Sequence, residues 1–475
     1  MKKSELKIGL FGIGLETYWE QFSGLKLRLE NYLSEVENKI SAIHASVINV
    51  GLIDNVDKAF SAGKKFRTED VDIIFLYVTT YALSSTVLPV VQRAKVPVII
   101  LNLSPEASID YESFNGMNDR TKMTAEWLAF CSACPVPEIA NVFNRTGIAF
   151  HEITGMLQEE ECWKEIEEWI DAANVMKIMQ NNRLGCMGHY YSGMLDIYTD
   201  FTTQYKYFGG HIELIEVEEL SSLRKEVSAT EMKNRFDLFY QIFDVQQDCA
   251  QEEMKKAAIT SVALDKLAAK YKLGSLAYYY KGTGNPENEE TISSIILGNS
   301  LLTATGIPVA GEYEIKNAQA MKIMDSFGAG GSFTEYYAMD YNDDIVLMGH
   351  DGPGHIAIAE GKTKVRPLKV YHGKVGKGVS VEMSVKKGDV TLLSVVDKND
   401  GTLLLLVAEA TSVDGPILQI GNTNSRYKFS IGAKKFVNEW NSHGPAHHCA
   451  IGIGHITSKI EKLGKLLNMK VVKVC

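Results

Sequence analysis

The chain has no surplus of positive charge, no long apolar run and no regular cysteine framework. Its 475 residues carry 49 Lys and Arg against 59 Asp and Glu, a formal net charge of −10. A binder of phosphate backbones needs a basic face, so this balance argues against nucleic acid as a partner. No apolar run approaches the roughly 18 residues needed to span a bilayer, so no membrane partner is expected. The start, Met1-Lys2-Lys3-Ser4-Glu5, leads directly towards a short strand and lacks the apolar stretch of a secretory signal. A cytoplasmic location is the default expectation. Seven cysteines are scattered from Cys131 to Cys475, which points to reduced thiols. Cys131 and Cys134 have CxxC spacing, but no second such pair completes a zinc site. They follow the apolar stretch Trp127-Leu128-Ala129-Phe130 and read as part of a helix core. Internal repeats and low-complexity tracts are missing too.

What remains is a globular composition, 45% apolar and 23% charged, in a chain long enough for two to four domains. Apolar, β-rich runs at 6–12, 47–53, 72–78 and 97–103 recur about every 25 residues, as parallel βαβ units require. Between the first two, Leu25, Leu27, Leu29, Tyr32, Leu33 and Val36 stand among charges in a helical pattern. A Rossmann-like or flavodoxin-like sheet is therefore expected over residues 1–180. The turn Gly12-Ile13-Gly14 lacks the third glycine of a dinucleotide fingerprint, with Thr17 in its place, and reads as a tight turn. Residues 181–330 offer a strand at 212–217 and helices at 250–272 and 287–303, a second α/β layer. From 331 to 475 short β-rich runs at 344–349, 355–360, 364–371, 378–385, 389–396 and 402–409 are separated by turn signals such as Asn399-Asp400-Gly401. A helix at 456–468 closes this part. The fold class is thus α/β: two Rossmann- or flavodoxin-like domains followed by a β-rich, antiparallel, barrel-like C-terminal domain.

The chemistry-bearing residues gather late in the chain. Four of the eleven histidines fall between His443 and His455, and His350 and His355 precede them. Glu312 and Glu314 share a face in an extended segment, with one of them solvated. Glu335 follows Gly328-Ala329-Gly330-Gly331, which has no Lys-Ser/Thr partner for a phosphate and reads as a flexible turn. Oxygen and imidazole donors together favour a divalent ion such as Mn²⁺, and two carboxylates beside it can also move protons. An isomerase, a metal-dependent hydrolase and a sugar-binding protein without catalysis all remain open on these residues.

The succession Gly311-Glu312-Tyr313-Glu314, Ser332-Phe333-Thr334-Glu335-Tyr336-Tyr337, Met348-Gly349-His350 and Pro445-Ala446-His447-His448 resembles the metal-binding series of the L-arabinose isomerase family. That resemblance implies an aldose–ketose isomerase working through an enediol(ate). It implies Glu312, Glu335, His350 and His448 as metal ligands, with Glu312 and Glu335 also the acid/base pair. By the same resemblance His447, Tyr337 and Met194 line the sugar site, and a homo-oligomer, trimer or hexamer, is expected. The chain departs from the family pattern after each glutamate, where Tyr313-Glu314-Ile315 and Tyr336 replace Gly-Asp-Trp and Asp. Its N-terminal loop, Gly12 to Trp19, also differs, and His151 is the nearest match to a further family histidine. Another aldose, 6-deoxy or C6-substituted, is the alternative substrate, and Glu314→Gln is expected to matter little.

Overall fold

The computed structural model describes residues 6–43, 46–282, 284–371, 374–375 and 377–475. The polar start read at Met1–Glu5 lies outside them. The chain forms two compact units, 2–177 and 178–475.

In the first unit five strands, β1 (Ile8–Ile13), β2 (Val47–Ile53), β3 (Ile73–Tyr77), β4 (Val98–Ser104) and β5 (Phe150–Met156), form one parallel sheet in the order β2-β1-β3-β4-β5. This is the flavodoxin-like order. The runs are continuously apolar because helices cover both faces of such a sheet. The helix Leu25–Ile43 buries Leu25, Leu29, Leu33, Val36 and Ile40, whereas Leu27 points outward at 63% exposure. Just past the end of β1 the Trp19 ring lies over Gly14, and its Nε1 donates to Asp54 Oδ2 at 2.9 Å. The tight turn expected at Gly12–Gly14 is therefore not there: Gly12 and Ile13 continue β1, and the indole covers the strand end. Cys131 and Cys134 depart from expectation: they form a disulfide, with Cα atoms 5.5 Å apart. They sit in a bend after the helix Arg120–Ala129, outside any helix core, and Trp127 beside them is 49% exposed.

The second unit opens with β6 (Arg183–Gly188), β7 (His211–Ile215), the short β8 (Asp244–Val245), β9 (Ser275–Tyr279) and β10 (Val309–Ala310). A parallel sheet takes the order β10-β9-β6-β7. The single helix expected at 287–303 is two, Pro286–Ser293 and Ile296–Ala304. The Ser294 hydroxyl donates to the Glu290 and Thr291 carbonyls at 2.7 and 3.2 Å, and such back-bonding competes with helix continuation.

There follow β11 (Ser332–Asp340), β12 (Ile345–His350), β13 (Lys364–Pro367), β14 (Val370–Tyr371), β15 (Lys374–Val375), β16 (Val379–Glu382), β17 (Gly388–Asp397), β18 (Leu403–Val413), β19 (Thr423–Phe429), β20 (His448–Ile453) and β21 (Lys470–Lys473). The order β17-β20-β11-β12-β19-β18 is antiparallel throughout, and β17 also pairs with β18, so the ring closes as a small barrel. Val390, Leu392, Leu406, Phe436 and Trp440 belong to its core. The run at 355–360 forms only a 3₁₀ turn, Ile356–Ile358. The last helix, Thr457–Leu466, does not end the domain: β21 follows and pairs parallel to β18. No helix among the described residues is long and apolar enough to cross a membrane.

Candidate active site

The first acidic arm grows from the end of β10. The chain turns through Gly311, Glu312 and Tyr313 into the helix Ile315–Ser326. Glu312 and Tyr313 both adopt left-handed backbone, with φ of 58° and 64°. Such residues cost on the order of 1–3 kcal/mol each and persist only where neighbours fix them. Here the Tyr313 N–H donates to the Tyr278 carbonyl at 2.9 Å, and its ring meets Tyr190 edge-on at 4.8 Å. The turn separates two residues that an extended chain would align. Glu312 faces a cavity, whereas Glu314 is 1% exposed and within hydrogen-bonding distance of His448 Nδ1, 2.5 Å. The two do not share a face: Glu312 keeps some exposure, and Glu314 is a buried support for a histidine.

Three more nominated residues come from adjacent barrel strands. Glu335 on β11 stands in register with His448 on β20 and with Gly349 on β12, next to His350. Gly349 allows that approach, since a Cβ there would collide with the Thr423 carbonyl oxygen. His350 Nδ1 is 2.5 Å from the Asp351 carbonyl oxygen, which leaves Nε2 as the ring's other ligand atom. The Phe333 ring packs on both imidazoles, at 4.5 Å from His350 and 4.2 Å from His448. Burial holds His350 down to about 3 and His448 well below its ordinary value. Both are neutral imidazoles, the form that ligates metals. Burial also pushes the Glu314 carboxyl up to about 8, so the Glu314–His448 pair carries no net charge.

His447 is held differently. Its Nδ1 lies 2.6 Å from Asp196 Oδ2, and its backbone N–H donates to the same oxygen at 3.0 Å. Its Nε2 lies 3.8 Å from Glu312 Oε2 and 4.0 Å from Glu335 Oε2. Burial opposes its charged form, but the Asp196 bond and the surrounding carboxylates outweigh that and raise its pKa.

These side chains surround a cavity of about 230 Å³. Met194, Glu312, Glu335, His350 and His447 line it, and His448 lies buried beside it. Tyr337 stands outside the wall. The strand pairing skips it between Tyr336 and Ala338, a bulge that re-aims the side chain. Its hydroxyl accepts from Asn422 Nδ2 at 2.9 Å, and the same amide donates to Asp351 Oδ1 at 2.7 Å. Neither His151, stacked on Trp169 within the first unit, nor the disulfide belongs to this cavity.

Residues 330–470 match the family model of the L-arabinose isomerase C-terminal domain. Over that stretch the chain is similar to the C-terminal domain of the L-arabinose isomerases. No curated protein matches it. The match takes in Glu335, Tyr337, His350, His447 and His448, and it supports a sugar isomerase acting on a small sugar. Glu312 and Met194 precede the matched region.

The donor set gathered around this cavity fits a divalent cation. Glu312, His447 and His448 each place a ligand atom within 4.8 Å of the others. His448 Nε2 is buried, makes no hydrogen bond among the described residues, and lies 3.4 Å from Glu312 Oε2. An imidazole braced at one nitrogen by a carboxylate and open at the other is the usual arrangement of a metal-binding histidine. Sequence reasoning missed Asp196 and Asn422, for which no local signal exists; Asp351 was noticed beside His350 but given no role. It also passed over Tyr278-Tyr279-Tyr280, although the carboxyl end of a parallel strand is where such sheets place ligands.

Proposed function

We propose that the chain is a metal-dependent aldose–ketose isomerase of the L-arabinose to L-ribulose type, with Glu312, Glu335, His350 and His448 holding Mn²⁺. The observation that carries the reading is the orphaned His448 Nε2, facing Glu312 and braced from behind by Glu314. When bound, a divalent cation supplies the positive charge that an enediol(ate) needs as O1 and O2 become negative. Glu312 and Glu335 supply the proton chemistry. One takes the proton from the sugar carbon and returns it to the neighbouring carbon, and the other shuttles the hydroxyl proton. His447, fixed by Asp196 through Nδ1, presents Nε2 to a sugar hydroxyl. Met194 and Tyr191 form part of the apolar wall, while Asn422 joins Tyr337 to Asp351 at the rim. The proposal includes a cytoplasmic enzyme assembled as a trimer or hexamer, which light scattering checks.

The decisive test is proton NMR of pentoses, 6-deoxyhexoses and hexoses in D₂O, with protein plus Mn²⁺ or EDTA. Metal-dependent ketose formation is expected. Silence across the panel, or hydrolysis without exchange at carbon, overturns the reading. A second reading, the same reaction on a 6-deoxy or C6-substituted aldose, is favoured by the aromatic wall of Tyr191, Tyr278, Tyr279 and Tyr280. The same panel separates the two.

A further inference from the structure

The site cavity does not stand alone in its unit. Tyr280 and Ile292 line it, and both also line a second cavity of about 540 Å³. At about 230 Å³ the first falls short of the roughly 300–1,000 Å³ typical of small-molecule sites, whereas the second lies within that range. No nominated metal ligand or acid/base residue touches the second cavity.

The charges of that second chamber decide what it can take. Three ammonium groups, Lys256, Lys281 and Lys377, stand against three carboxylates, Glu253, Glu289 and Glu290. Lys256 Nζ is already shared between Glu253 and Glu290, at 3.2 and 3.3 Å. Glu290 also receives Arg224 at 2.7 Å, and Glu289 accepts the Gly284 N–H at 3.1 Å. A phosphate would meet as many carboxylates as lysines. A neutral group with many hydroxyls suits the mixture, because each hydroxyl donates to a carboxylate and accepts from an ammonium. The leftover wall is apolar: Tyr280, Ile292, Ile296 and Leu368. Aliphatic and aromatic faces beside polar groups match the two faces of a sugar ring.

We propose that the second chamber binds a neutral glycosyl group attached to the far end of the aldose, so that the substrate is a short oligosaccharide with a free reducing end. The inference rests on the isomerase reading for its orientation: with the reacting carbons at Glu312 and Glu335, the opposite end is the one left to extend along Tyr280 and Ile292, which line both cavities.

The experiment compares kcat/KM, by NMR with Mn²⁺, for 1,5-linked arabinobiose against L-arabinose and for isomaltose against D-glucose. In at least one pair the glycosylated sugar should be favoured tenfold or more. Ser293→Trp, which fills the second chamber, should remove that preference by acting mainly on the glycosylated member. Should that variant fail to fold, Lys281→Ala with Lys377→Ala on the chamber rim should cut the preference at least threefold. Equal or better turnover of both parent sugars, no response to these variants, or a preference for the terminal phosphate ester overturns the proposal. Calorimetry with the corresponding alditols, which cannot isomerise, separates the two readings. Tighter binding of the reduced disaccharides, lost in Ser293→Trp, upholds the chamber even where no aldose is isomerised, and equal binding of both alditols overturns it.

Discussion

Replacing Glu314 should weaken metal binding although Glu314 is not itself a ligand. Its carboxyl is 1% exposed and 2.5 Å from Nδ1 of His448, a ring whose own side chain is fully buried. The partner of a metal-binding histidine fixes the ring's orientation and basicity, and its loss costs about 10–100-fold in affinity or activity. Leaving a buried donor or acceptor without its partner costs about 1–3 kcal/mol, which gives a similar range at about 1.4 kcal/mol per factor of ten. Glu314→Gln keeps an acceptor oxygen and should lose about tenfold in Mn²⁺ affinity. Glu314→Leu keeps the bulk but leaves Nδ1 unpartnered in a dry site, and should approach the hundredfold end. Titration calorimetry with Mn²⁺ on both variants, with circular dichroism to establish folding, measures this directly. Affinities within threefold of wild type for folded Glu314→Leu would refute the argument and restore Glu314 to the minor role that its sequence position suggested.

Glu312→Gln and Glu335→Gln should each lower kcat by roughly 10²–10⁴, more where metal is lost as well, and near-normal turnover in either ends the acid/base assignment. Phe436→Ala removes a fully buried ring stacked on Phe429 at 3.4 Å, and should destabilise the barrel by about 3–5 kcal/mol in urea titrations. Ser228 and Glu231 form a capping box that holds the Glu231 carboxyl down to about 2, the backbone N–H of Ser228 being the largest cause. Its contribution is complete above the ordinary value of 4.5 and fades as pH falls towards 2. Ser228→Ala removes the hydroxyl but keeps that N–H, so it should bring the Glu231 titration only part of the way back by NMR, and should speed amide exchange in that first turn roughly fivefold, as a lost cap would.

Much of this molecule was legible in its sequence because two strong periodicities dominate it. Buried parallel strands are continuous apolar runs, and β1 to β4 stood out on that ground. The site segments were legible by order, since β11, β12 and β20 carry their residues at fixed positions in a sheet. Glu314 was misjudged because two adjacent left-handed residues, which no propensity predicts for glutamate and tyrosine, rotate it away from Glu312. Asp196 was invisible for a different reason. It lies 251 residues from His447, and only tertiary packing joins them. The break at Ser294 depends on a hydroxyl turning back on its own helix, which helical periodicity of apolar residues does not register.

Barrel closure has a consequence for the order of assembly. Glu335, His350 and His448 ride on three neighbouring strands, so their spacing exists only once β20 has paired with β11 and β11 with β12. A one-residue slip in either ladder would turn a donor to the opposite face. An ion captured by these residues therefore binds the closed ring and has nothing to grip in an unzipped one. By mass action it would raise the melting point of the barrel with the logarithm of its concentration and leave the melting of the flavodoxin-like unit unmoved.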